Sequence, residues 1–232
     1  MFFFYDYWYI VLVMPAIILA MWAQFRVKST FHKYSRLESR AQLSGYDSAR
    51  MVLDRHGLRH VRIEEIGGEL SDHFDPRTNV IRLSSAVYHG RNAAAIGVAA
   101  HEAGHAVQYA ENYLPMRLRA AIIPATNLGS TLSVPLILLG ILFSFPPLAW
   151  AGVIAFSLAT LFQLVTLPVE FNASRRAMQC VEASGYFSRE EQTASRKVLT
   201  AAALTYVAAL AVSIANLLRL VLIVGGSGRR RN

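Results

Sequence analysis

The sequence predicts a mostly α-helical membrane protein of about four spans, carrying a small α+β part outside the bilayer. Three observations carry this reading. Of the 232 residues, 54% are hydrophobic and only 16% charged, a balance too apolar for an ordinary soluble domain. The charges are missing altogether from residues 7–25, 120–169 and 198–218, and a helical crossing takes about 20 apolar residues. Between these gaps, residues 27–118 bring back charges, turn residues and short alternating runs.

The first gap holds one span, 7–25. Its leading residues, Met1 to Tyr7, include Asp6 and no positive charge. That composition reads as an anchor with an outer aromatic belt, not as a cleaved signal. The middle gap is long enough for two spans, 125–145 and 148–169, broken by a turn at Phe145-Pro146-Pro147. The last gap supports a span over 199–224. In the polar part, Ala49, Met51, Val52 and Leu53 mark a helix over 45–57. Residues 59–66 alternate and read as a strand, Asp72 to Thr78 as a turn, and 79–84 as a second strand. Asn92 caps a helix that opens with the apolar run 93–100. Gly97 and Gly104, seven apart, share one face of that helix and admit a close neighbour. Residues 170–184 read as helical up to Gly185, and Ser188 with Glu191 forms a capping box for the helix that runs into the last span. The organisation expected is an anchor (1–26), a polar part (27–118), a two-span hairpin (119–169), a connector helix (170–198) and a last membrane helix with a basic tail (199–232).

Charge placement predicts orientation. Arg26, Lys28, Lys33, Arg36 and Arg40 follow the first span, Arg117 and Arg119 precede the second, and Arg175, Arg176, Arg189, Arg196 and Lys197 separate the third and fourth. The positive-inside rule puts all of these in the cytosol, with the protein integral to the cell (inner) membrane. The tail Arg229-Arg230-Arg231 disagrees, because four full spans leave it outside. The net charge of +8 then serves contact with anionic lipid. Nucleic acid is not expected as a partner, since no basic and aromatic surface motif accompanies the charge. The lone Cys180 excludes a disulfide framework and a cysteine metal site, and reads as a small buried hydrophobe.

The capped helix carries the chemistry. His101-Glu102-Ala103-Gly104-His105 fits H-E-x-x-H. Positions i and i+4 of a helix lie one turn apart on one face, so two imidazoles can bite a single Zn²⁺. Glu102 is rotated about 100° from His101. It can therefore reach the water the metal activates without occupying a coordination position, and serve as general base. A catalytic zinc takes three protein ligands and keeps one position open. The extended motif with a third His is excluded, because Gln108 and Glu111 stand where it needs Gly and His. His73, Asp75, His89, Glu111, Glu170 and Glu182 remain as candidates. Glu111 falls on the wrong helix face. Glu170 ends a span with no other acid between Glu111 and Glu182, where an unpaired carboxylate is costly. It is either the third ligand or an interfacial acid paired with Arg175 or Arg176.

His101 to Gln108, followed by Glu170-Phe171-Asn172-Ala173-Ser174-Arg175-Arg176-Ala177, resembles the YugP-type membrane zinc metallopeptidases. Asp72-His73-Phe74-Asp75-Pro76 before a strand and the stretch Ala201 to Tyr206 also fit, so the likeness covers nearly the whole chain. A more distant resemblance is to the HtpX-like and CAAX-processing membrane peptidases. These resemblances imply a zincin-like polar part, His101, His105 and Glu170 as ligands of one catalytic Zn²⁺, and Glu102 as base. Ser174 departs from the HtpX-like pattern, which has Asp there, and Asn172 is an amide where an acid could stand. Tyr206 is a candidate for oxyanion stabilisation.

The expected function is a membrane zinc endopeptidase acting on protein or peptide substrates at the cytosolic face. Two alternatives stand beside it. A site-2-type intramembrane protease would need its motif inside an apolar span, whereas Arg91 and Glu111 bracket this helix. A membrane scaffold or transporter-associated protein with a vestigial zinc site would not need to keep Glu102. Substrate is expected along an edge strand formed by Asn79, Val80, Ile81, Arg82 and Leu83, where main-chain pairing would hold it irrespective of sequence.

Overall fold

A computed structural model describes residues 7–229, with side chains for residues 7–226. The aromatic residues before Tyr7, and the side chains of the Arg229-Arg230-Arg231 tail, lie outside the described residues. The chain is mostly helical and divides into two compact units: residues 1–23, 118–167 and 205–232, and residues 24–117 and 168–204.

The first unit is built from apolar helix. A π-helical turn, Tyr9–Val13, leads into α1 (Met14–Tyr34); α5 is Leu114–Leu142, α6 is Pro146–Ala183 and α7 is Arg189–Arg229. Four helices, Tyr9–Tyr34, Leu114–Leu142, Pro146–Ala183 and Arg189–Gly226, are long and apolar enough to cross a membrane. In their most apolar stretches only 17–28% is buried, and Leu142, Phe143 and Ile154 are at least 66% exposed. Such outward apolar faces suit lipid. The predicted break after residue 145 is present: Pro146 opens α6, where its missing N–H is harmless. A Cβ on Gly129, or on Gly152, would lie 2.6 Å from Ala155 O and from Ile137 Cγ1 respectively. Small residues thus let α5 and α6 approach closely, as membrane helices do. Thr160 and Ser213 hydroxyls share a 2.8 Å hydrogen bond between α6 and α7.

The second unit holds the remaining elements: α2 (Gly45–Arg55), β1 (Arg62–Ile66), β2 (His73–Asp75), β3 (Val80–Ser84), the single turn α3 (Ser85–Tyr88) and α4 (Ala93–Ala110). Helix α2 packs on α4 through a core that includes Val52, Leu53, Ile96 and Val107, all fully buried. The caps expected from sequence are formed. Asn92 Oδ1 accepts from Ala95 N at 3.0 Å, a contact worth about 1 kcal/mol. Glu191 Oε2 accepts from Ser188 N while Ser188 Oγ accepts from Glu191 N. The other oxygen of Glu191 accepts from Arg40 N at 2.9 Å, which explains how a carboxylate stays 2% exposed. Gly57 and Gly185 follow α2 and α6 with φ of +72° and +73°, the left-handed conformation that terminates helices. Cys180 is buried as expected.

The sheet corrects two expectations. Its order is β1-β3-β2, with β3 parallel to β1 and antiparallel to β2. The segment read as a turn over Asp72 to Thr78 therefore contains a strand, His73–Asp75, and only its second half turns. There Asp75 accepts from Arg77 N and Thr78 Oγ1, at 2.9 and 2.8 Å, and Asn79 takes φ +54°. The second correction concerns β3, which is central and not an edge. Val80, Ile81 and Leu83 are all fully buried, because both faces of the strand are covered. Arg82 reaches sideways to Asp75 at 3.0 Å and Glu64 at 3.7 Å on the flanking strands. With its backbone paired on both sides, the segment Asn79 to Leu83 has no free row of N–H and C=O groups to offer a substrate.

Candidate metal centre

Helix α4 carries the first three residues of the centre and α6 the fourth. Gly104 sits between the two motif histidines, and a Cβ there would lie 2.6 Å from Ala173 O. Lacking that atom, α4 lets the turn of α6 that bears Glu170 come against it. Gly97 does the same one heptad earlier, where a Cβ would lie 3.1 Å from Ser195 Cβ on α7.

This approach brings three ligand atoms together. Nε2 of His101 and of His105 lie 3.3 and 3.5 Å from Glu170 Oε2, and candidate ligand atoms of the three residues lie within 4.8 Å of one another. Four ligands placed tetrahedrally about zinc, with bonds near 2.1 Å, stand about 3.4 Å apart. The two His–Glu spacings fit that ion, as does the donor set of two imidazole nitrogens and one carboxylate oxygen. Among the described residues this is the one group of three or more His, Cys, Asp or Glu side chains that converges in this way.

The other ring nitrogens are engaged. Ser174 Oγ lies 3.1 Å from His101 Nδ1, and Gln108 Oε1 lies 3.0 Å from His105 Nδ1. A hydroxyl and an amide therefore occupy the places where carboxylates often support metal-bound histidines. Glu102 is 8% exposed. Burial pushes the pKa of His105 down, but the Glu170 carboxylate, as hydrogen-bond acceptor, and the charges of Glu102 and Glu170 outweigh it, and the net displacement is upward. Asp72, which the sequence did not single out, feels the same field. Burial pushes its carboxyl up and Glu102 adds to the rise, while hydrogen bonds from Ser84 N and Oγ, at 2.7 and 3.0 Å, pull the other way.

The remaining ligand candidates are committed elsewhere. His73 Nδ1 meets Ser71 O, Asp75 holds the turn and Arg82, and His89 pairs with Glu65. Glu111 pairs with Arg176, and Glu182 with Arg196. Arg176 thus goes to Glu111 and not to Glu170; with Arg55, His56 and Arg175 it lines a polar cavity of about 440 Å³. Tyr206 stands on α7 in the first unit, whereas the three converging residues belong to the second. Ser174 stood out in the sequence only as a departure from the HtpX-like Asp, and the supporting contact of Gln108 was missed. The signal for Gln108 was present, since three residues along a helix from His105 is a facing position.

Comparison with known proteins agrees with this chemistry. The profile of a family described as "Putative neutral zinc metallopeptidase" matches residues 9–225. The chain is 48% identical over 215 residues to the "Putative membrane protease YugP" of Bacillus subtilis (strain 168), covering 93% of this chain and 96% of that protein. No solved structure matches.

Proposed function

The chain belongs to the neutral zinc metallopeptidase family, and from that premise we propose that it is a membrane-bound endopeptidase hydrolysing protein substrates at one zinc held by His101, His105 and Glu170. The observation that carries this reading is the convergence of three ligand atoms, both His–Glu spacings close to those of a tetrahedral zinc, beside a buried Glu102. Bound there, zinc supplies Lewis acidity, lowering the pKa of a water and polarising a carbonyl. The rest falls to the chain's own groups. Glu102, one residue along from His101 on the helix and buried beside it, would serve as the base. It takes the proton of the attacking water and returns it to the leaving amine. Ser174 and Gln108 meet Nδ1 of the two imidazole rings, leaving Nε2 of each turned to Glu170, where the three residues would hold the metal. The arginine-rich segments around the apolar helices assign the centre to the cytosolic face.

Helix α4 is not among the helices long and apolar enough to cross a membrane, which weighs against a site-2-type intramembrane protease. The test separates base from ligand. Glu102→Gln keeps the side-chain shape and removes the base. Zinc should stay near one per chain, while cleavage of a denatured protein falls by about 10²-fold or more. Undiminished cleavage by this variant would sink the mechanism. A parent protein that holds zinc without chelator-sensitive cleavage would favour the scaffold reading.

A further inference from the structure

Gln108 is a fully buried amide, and a buried amide is costly unless its donors and acceptor are satisfied. Its contacts are all at the metal centre. Nε2 donates to Val169 O at 2.8 Å and to Asn172 Oδ1 at 2.9 Å, while Oε1 faces His105 Nδ1 at 3.0 Å. A backbone carbonyl can only accept, so the end of the amide facing Val169 must be the NH₂ group. The opposite end is then an oxygen, which can only accept. His105 Nδ1 must therefore carry a proton, so that whenever the ring is neutral its lone pair lies on Nε2, the atom turned to Glu170. The Asn172 side chain agrees with this chain of donors. Arg176 Nε, which can only donate, lies 2.7 Å from Asn172 Oδ1 and fixes that atom as oxygen.

We propose that Gln108 is a positioning residue of the metal centre: it sets the tautomer of His105 and docks the turn of α6 bearing Glu170 onto α4. The proposal rests on the metallopeptidase reading above. Its second half follows from placement. The amide grips Val169 and Asn172, which flank Glu170 in sequence, and on its own helix it faces His105 one turn away. One side chain thus ties together two of the three ligands.

The test reads the tautomer without metal. In the ¹⁵N-labelled, zinc-free full chain, held at a pH where the His105 ring is neutral, long-range ¹H–¹⁵N correlations of that ring should show its single proton on Nδ1. Free histidine favours the other form. Gln108→Met keeps the length and removes the amide. It should move the ring towards the Nε2–H form and weaken zinc binding about 10–100-fold. Gln108→Glu keeps an acceptor for His105 and should preserve the Nδ1–H form, while setting a carboxylate against Val169 O. Asn172→Leu leaves Val169 O in place, so it should preserve the tautomer and weaken zinc less than Gln108→Met does. A purely structural Gln108 would lower thermal stability in each variant and leave the tautomer untouched. The proposal is overturned if parental His105 carries its proton on Nε2, a result that needs no variant to fold, or if Gln108→Met leaves the ring unchanged. A parent that shows the Nδ1–H ring yet binds no zinc would sink the metallopeptidase reading instead.

Discussion

Glu170 is a carboxylate only 3% exposed, at the end of a long uncharged stretch. Burying an ionised carboxylate is costly unless cations or a metal compensate it. Two histidines turn their Nε2 atoms to it. Glu111, by contrast, is half exposed and bound to Arg176. We expect Glu170→Ala to lose its zinc on dialysis and Glu111→Ala to keep it, since deleting one of three ligands weakens a site far more than deleting a surface pair. Metal analysis after dialysis checks this, and the reverse order would hand the ligand role to Glu111. The three motif residues of α4 were legible because their spacing is local. Glu170 stood out among six candidates as a lone acid ending a span, but whether it was a ligand or an ion-pair partner of Arg175 or Arg176 stayed open until the resemblance favoured the ligand, because the partner helix is brought in by packing. Ser174, 73 residues from His101, showed only as a departure from the HtpX-like Asp, and its contact with the ring left no local trace.

At the scale of elements, the meeting of α4 and α6 decides whether the centre forms. Gly104→Ala would put a methyl 2.6 Å from Ala173 O, closer than real side chains approach, so α6 must move. Overpacking of this kind costs about 1–3 kcal/mol. The shift would carry Glu170 away from the histidines, and we expect zinc affinity to fall by at least about tenfold. Gly67→Ala, with nothing within 4 Å, is the control that should change neither. Calorimetry and zinc titration read the two effects. A Gly104→Ala protein that melts lower yet binds zinc as before would show that the helix contact serves only stability. The elements themselves were partly readable. Asn92 and the Ser188–Glu191 box announced their helices, because capping is a contact within four residues. β2 was not readable, since three residues are too few to show alternation and Asp75-Pro76 looks like turn. Nor could the central place of β3 be seen. Its alternation of Arg82 with apolar neighbours suggested one wet face, but Arg82 is neutralised sideways by Asp75 and Glu64, and the strand's neighbours are set by the fold.

For the whole molecule, the four apolar helices were legible because the bilayer imposes a length that a charge-free run displays directly. Orientation is the step that remains to be measured, and the proposed metal centre constrains it. One ion joining His101, His105 and Glu170 requires residues 27–118 and 170–197 to share one side of the membrane, whichever side that is. By the positive-inside rule, the arginines and lysines that follow the first apolar helix, precede the second and separate the third from the fourth lead us to propose the cytosol as that side. Cys180 is the single cysteine and is buried, so Cys180→Ala gives a clean background. His60 and Tyr186 are exposed positions in the two segments. His60→Cys and Tyr186→Cys, introduced one at a time, should resist a membrane-impermeant thiol reagent applied to intact cells and react once the cells are opened. Labelling of both in intact cells would reverse the orientation while leaving the centre intact. Labelling of one alone would place the ligands on opposite sides of the bilayer, and no shared zinc could survive that result.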